Sequence, residues 1–287
     1  MERHRKLALS IGWLGICALL LAGSALAWDG GDLKEEFHHS YPLSAGGRVE
    51  LENINGPVHI TAWDRNEVKV DAVKSANSKE RLDEAQIEVE AGSGSVSIRT
   101  KYREHDHTWN SNGWNNPASV EYTLMVPRGA RLDEIKLING ALDIHGVAGE
   151  VRASCVNGKL TAQGLQGRTE LSSVNGRMEA EFDRLSGSID LSSVNGALNV
   201  TLPSDAKGEI EASTVSGNIE NDFGLHVDHH HWVGHEMRGE LGTGGGHIKL
   251  SNVNGHIDIR RASDGKTMSP VKDLGSRDKD DDDDDRI

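Results

Sequence analysis

Leu171-Ser172-Ser173-Val174-Asn175-Gly176-Arg177-Met178-Glu179-Ala180 returns twenty residues later as Leu191-Ser192-Ser193-Val194-Asn195-Gly196-Ala197-Leu198-Asn199-Val200. Looser copies centre on Asn55-Gly56, Asn139-Gly140, Asn157-Gly158, Ser216-Gly217 and Asn254-Gly255. From Gly140 the glycines recur at intervals of 18, 18, 20, 21 and 38 residues. A fixed period in this range marks a stacked-repeat architecture. The last interval reads as two coils, one of which has lost its signature.

Aligned on the glycine, the apolar residues form columns. Two after it stand Val58, Leu142, Leu160, Met178, Leu198, Ile219 and Ile257, and four after stand Ile60, Ile144, Ala162, Ala180, Val200 and Ile259, with Asn221 the exception. Five before stand Leu51, Ile135, Ala153, Leu171, Leu191, Ala212 and Leu250; two before stand Ile54, Ile138, Val156, Val174, Val194, Val215 and Val253. All four columns are expected to face a core, with polar residues between them outside. Each unit is then two short strands bent at Asn-Gly, where glycine supplies the positive φ of the bend.

Asn-Gly between alternating strands also fits a type I′ hairpin. Hairpins do not explain one identical turn every 18 to 21 residues. A solenoid does, because equivalent residues then stack at about 4.8 Å, and about seven coils make a rod of roughly 35 Å. Asn139, Asn157, Asn175 and Asn195 would form an amide ladder, and Ser154, Ser172, Ser192, Ser213 and Ser251 a second one. Aromatic content of 4% suits a narrow core of Val, Ile, Leu and Ala.

The expected fold is all-β: a single-stranded, β-helix-like β-solenoid over 132–261, preceded by a β-rich N-terminal lead-in over 28–131. Trp28 to Ser40 reads as loose, and strand patterns begin at Arg48. Residues 78–86 (SKERLDEAQ) suit a short helix, and 103–118 a long surface loop. The acidic tail 262–287, ending in Asp280 to Asp285, is expected to be disordered.

Residues 1–27 have the form of a signal peptide. Arg3, Arg5 and Lys6 precede an apolar run from Leu7 to Ala22 and the small-residue site Ala25-Leu26-Ala27. Export to the periplasm, cell surface or medium follows, with a membrane anchor as the alternative if the leader is retained. Cleavage removes Cys17 and leaves Cys155 alone, so no intramolecular disulfide forms. Net charge is −14, and about −16 without the leader's three bases and one acid. That excess disfavours nucleic acid and anionic membranes as partners.

The stretch Glu52-Asn53-Ile54-Asn55-Gly56-Pro57-Val58-His59-Ile60-Thr61-Ala62-Trp63-Asp64, the Val126-Pro127 strand end and the serial Val-Asn-Gly units resemble the bacterial adhesin (LiaG-like) domain family over roughly residues 45–261. The resemblance implies an exported, all-β solenoid of the cell envelope, and it supplies no catalytic motif. The histidine insertion and the aspartate tail depart from the family's pattern.

Localised chemistry is therefore sought where the repeat fails. His226, His229, His231 and His235, with Asp228 and Glu236 beside them, carry metal-ligand chemistry at a spacing that matches no closed motif, and the alternative is a solvated polar loop. Trp109, Trp114 and Asn115 combine indoles with an amide, which suits stacking on a glycan or covering an open solenoid end. Glu170, Asp190 and Glu211 share an outward column that reads as a solvated acidic stripe or, if consecutive coils stack, as a row bridged by a divalent cation such as calcium; no other cofactor is expected. Glycoside cleavage needs carboxylates in two different environments within a cleft, and a regular exposed column does not provide them. The resulting expectation is a non-enzymatic, adhesin-like or scaffolding envelope protein with an envelope component or glycan as partner. A periplasmic sensor binding metal or glycan through 103–118 and 226–235 is the second reading, and a polysaccharide-cleaving enzyme the third.

Overall fold

One copy of the repeat is two strands meeting at a corner. Thr169–Asn175 runs into the Asn-Gly corner and Met178–Phe182 runs out of it. In the computed structural model, which describes residues 32–102, 117–229 and 234–275, entry strands build a twelve-stranded sheet and exit strands a ten-stranded one. The β-solenoid expected from the repeat is thus the fold.

The corner is not a hairpin. Gly158 N donates to Asn175 O at 3.0 Å and Gly176 N to Asn195 O at 2.9 Å, so these bonds join neighbouring coils. Gly158 sits at φ +150°, and a Cβ there would overlap the Gly140 carbonyl oxygen one coil away. Glycine therefore meets two demands at once, an unusual φ and close stacking of backbone on backbone.

Coil order in space differs from order in sequence. Entry strands follow the order Arg48–Asn55, Arg131–Asn139, Val151–Asn157, Thr169–Asn175, Ile189–Asn195, Gly246–Asn254 and Gly208–Ser216, each parallel to the next. Exit strands match it, with Ile257–Arg261 between Leu198–Leu202 and Ile219–Asn221. The interval of 38 residues is therefore not two coils, contrary to the reading of the sequence. After Gly208–Ser216 and Ile219–Asn221, the chain adds His235–Leu241 antiparallel on the outer side, then returns to fill the space left inside. Asn221, the exception in its column, explains the departure. Its Oδ1 accepts from Leu225 N at 2.9 Å and its Nδ2 donates to Leu225 O at 3.0 Å. That closed loop brings buried Phe223 and Leu225 to the end of the core.

The core lies between the sheets. Leu171, Leu191 and Leu250 point in from the entry sheet, facing Met178, Ala180, Leu198, Val200, Ile257 and Ile259 from the exit sheet. The column two before glycine does not join them. Side chains alternate along a strand, so positions five and two before the glycine lie on opposite faces. The inward position is three before, where Asn53, Leu137, Cys155, Ser173, Ser193, Asn252 and Thr214 are all buried.

At the other end Val58–Trp63 pairs in parallel with Ser119–Pro127, which is followed by antiparallel Glu67–Ala76 and Leu33–Pro42. A strand thus begins at Leu33, where a loose lead-in was expected. Helix Lys79–Glu84, predicted within 78–86, connects the two sheets here and buries Leu82; Ser78 caps it by accepting from Arg81 N at 3.4 Å. Beyond Arg261, where a disordered tail was expected, Val271–Asp273 pairs with His235–Leu241 and Ser269 N donates to Ser204 O at 3.0 Å. Residues 276–287 and 1–31, which include the expected leader, lie outside the described residues.

Candidate functional site

The misread column is the most distinctive surface of the molecule. Ile54, Ile138, Val156, Val174, Val194, Val253 and Val215, in spatial order, are each between 37% and 53% exposed. They make an apolar ridge one residue wide that runs across the seven coils that carry the glycine corner. Single exposed aliphatics are ordinary, but a contiguous array of them marks a contact surface.

Beside the ridge runs the asparagine ladder predicted from the repeat. Asn157 Nδ2 donates to Asn139 Oδ1 at 2.9 Å, Asn175 to Asn157 at 3.0 Å, and Asn195 to Asn175 at 2.9 Å. Asn254, displaced in sequence, joins by donating to Asn195 Oδ1 at 3.0 Å. Each amide thereby orients the next, and the row is rigid without being buried. On the other flank Ser154, Ser172, Ser192, Ser251 and Ser213 lie in register on successive strands.

Next outward comes the column that suggested a cation. Because the coil Gly246–Asn254 intervenes, Lys249 stands between Asp190 and Glu211. Arg238 pairs with Glu211 in register, and at the other end Arg152 reaches Asp133 at 2.9 Å and Glu170 at 3.2 Å. Basic residues interrupt the row, which is not a three-carboxylate cation site. Only Glu170 and Asp190 remain adjacent, and Arg152 contacts the first of them.

The inward polar column ties the corners down. Asn252 Nδ2 donates to Gly196 O at 2.8 Å, Thr214 Oγ1 to Gly255 O at 3.1 Å, and Cys155 Sγ to Gly140 O at 3.5 Å. Burial pushes the Cys155 thiol up to about 11, so at neutral pH it is an inert thiol with a structural role.

The histidine segment forms part of a small antiparallel ribbon. Asp228 pairs with Glu236 and His229 with His235 along the backbone. His226 N donates to Asp273 Oδ2 at 3.0 Å, and its Nε2 lies 3.6 Å from Asp228 Oδ1. His231 and the side chain of His229 lie outside the described residues, as do Trp109, Trp114 and Asn115. Among the described residues no group of three or more His, Cys, Asp or Glu side chains is arranged to hold a metal ion. Likewise, no described helix is long and apolar enough to cross a membrane.

No curated protein matches the chain. Similar solved structures include a "putative cell adhesion protein" from Clostridium sporogenes, 14% identical with a TM-score of 0.47 over 80% of this chain and 100% of that one. A "putative adhesin" from Bacteroides fragilis is 10% identical, with a TM-score of 0.31 over 79% and 97% of the two chains. A "putative lipid binding protein" from Parabacteroides distasonis is 13% identical, with a TM-score of 0.28 over 82% and 98%. The solenoid coils themselves, residues 133–260, match the family model described as Toastrack DUF4097.

Proposed function

We propose that the protein is a non-enzymatic, adhesin-like component of the cell envelope, exported through its N-terminal leader, and that the ridge and its amide ladder are its binding face. The observation that carries this reading is the unbroken row of exposed β-branched residues beside oriented amides. The positions four and six before the glycine on the same strands are polar in every coil, so the contiguous apolar column stands out against its own strands. Rigid backbone beneath the row lowers the entropy lost on association. The likeness of the Val-Asn-Gly units to LiaG-like adhesin domains supports the same reading.

Binding of the purified protein to isolated cell envelopes tests it. Replacing Val174 and Val194 together by lysine is expected to abolish retention, while deletion of 226–235 leaves it intact. Retention that survives the lysines but disappears with 226–235 or 103–118 would transfer the function to those loops.

A further inference from the structure

We propose that the occupant of the ridge is a second copy of this chain, docked ridge against ridge and antiparallel. This rests on the reading of the ridge as the binding face and adds its partner. Three observations carry it.

The first is periodicity. Val156, Val174 and Val194 are register neighbours on successive parallel strands, so their side chains repeat at about 4.8 Å with a notch between each pair. A partner that fills those notches must repeat at the same spacing, as in the dry interdigitated faces of stacked β-structure. Another copy of this solenoid does. Parallel two-fold packing would set each valine against itself at the same height. Antiparallel packing permits a half-step offset, so the valines of one copy enter the notches of the other.

The second is charge. No charged residue occurs one or two positions before the glycine in any coil, and from Ser154 onward the position four before is serine. Lys159, at the corner, is engaged by Glu179 at 2.7 Å, and Arg177 lies 3.7 Å from the same carboxylate. A chain of net charge −14 thus carries a neutral band where two copies meet without opposing like charges. A basic partner would instead be matched by an acidic face.

The third is area. Seven side chains at these exposures present on the order of 500 Å² of apolar surface, the size of a functional patch. With the asparagine and serine columns on its flanks, the band approaches the roughly 800 Å² per partner of a stable interface.

Sedimentation velocity of the full chain over roughly 1–100 µM tests the proposal. A monomer–dimer equilibrium is expected, tightening as salt rises from roughly 0.05 to 0.5 M and screens the net repulsion. Val174→Lys with Val194→Lys is expected to weaken dimerisation at least ~100-fold at an unchanged melting temperature. If the lysines lower the melting temperature, Val174→Thr, which keeps the β-branched shape, replaces them and is expected to weaken it measurably. With oxidised glutathione, Val174→Cys at the centre of the ridge is expected to form a disulfide dimer and Val215→Cys at its end is not. Cross-linking through Val215→Cys alone overturns the antiparallel arrangement. A wild-type chain that stays monomeric throughout overturns the proposal. If that monomer still binds envelopes, vesicles or an envelope glycan in a lysine-sensitive way, the ridge remains the binding face with a different occupant.

Discussion

At the scale of the residue, the corner glycines carry the tightest constraint. Gly158 has both a left-handed φ and a neighbouring carbonyl where its Cβ would lie. Gly158→Ala should therefore cost on the order of 3 kcal/mol, from backbone strain together with overpacking. Gly94→Ala, in open space outside the left-handed region, should be nearly neutral. Chemical denaturation of the two variants checks the contrast, and equal losses would mean that the corner has room to relax. The asparagines beside these glycines were legible from sequence because a repeated amide at strand spacing has one obvious partner, its own copy in the next coil. That Cys155 has no disulfide partner was legible from the cysteine count, whereas its inward direction and its contact with Gly140 follow from the strand's alternation.

At the scale of the element, that alternation decides which valines are core and which are surface. The entry strand shows apolar residues five and two positions before glycine, and on sequence alone both look like core. An odd separation along one strand puts them on opposite faces, and the small, mostly polar side chains three before the glycine take the inward place. The candidate surface was therefore present in the sequence but concealed by treating apolar as synonymous with buried. The C-terminal segment shows the same dependence on local contacts. Asp264 Oδ2 accepts from Ser204 N and Asp264 Oδ1 from Lys266 N, at 3.0 and 3.1 Å. The Ser204 side chain, followed by these amides, holds the carboxyl at about 2, below its ordinary 3.8. A carboxylate depressed in the fold contributes fully above its unfolded value and loses that contribution as pH falls through the folded one. The anchoring of 262–266 should thus be complete above about pH 4 and weaken toward pH 2. The Ser204 and Lys266 amide resonances should follow this titration, and Asp264→Asn should remove their pH dependence.

At the scale of the whole molecule, the intercalated coil makes the end of the stack interdependent. Strands Gly208–Ser216 and Ile189–Asn195 both pair in parallel with Gly246–Asn254, which lies between them and links the last coil to the rest of the stack. Hydrogen exchange should therefore show Gly208–Ser216 and Gly246–Asn254 opening as one unit, with a single free energy for both. Strands that exchange at clearly different energies would indicate independent coils. The sequence by itself determined the repeat, the Asn-Gly corner, the β-solenoid and most of the inward columns, because these follow from local geometry copied coil after coil. Tertiary structure alone decided the order of the last two coils, and with it the fate of the acidic column. Lys249 is close to Asp190 and Glu211 through strand pairing and not through chain order. Val-Asn-Gly units are near-interchangeable in register, so the repeat specifies how any two coils stack but not which coil stacks on which.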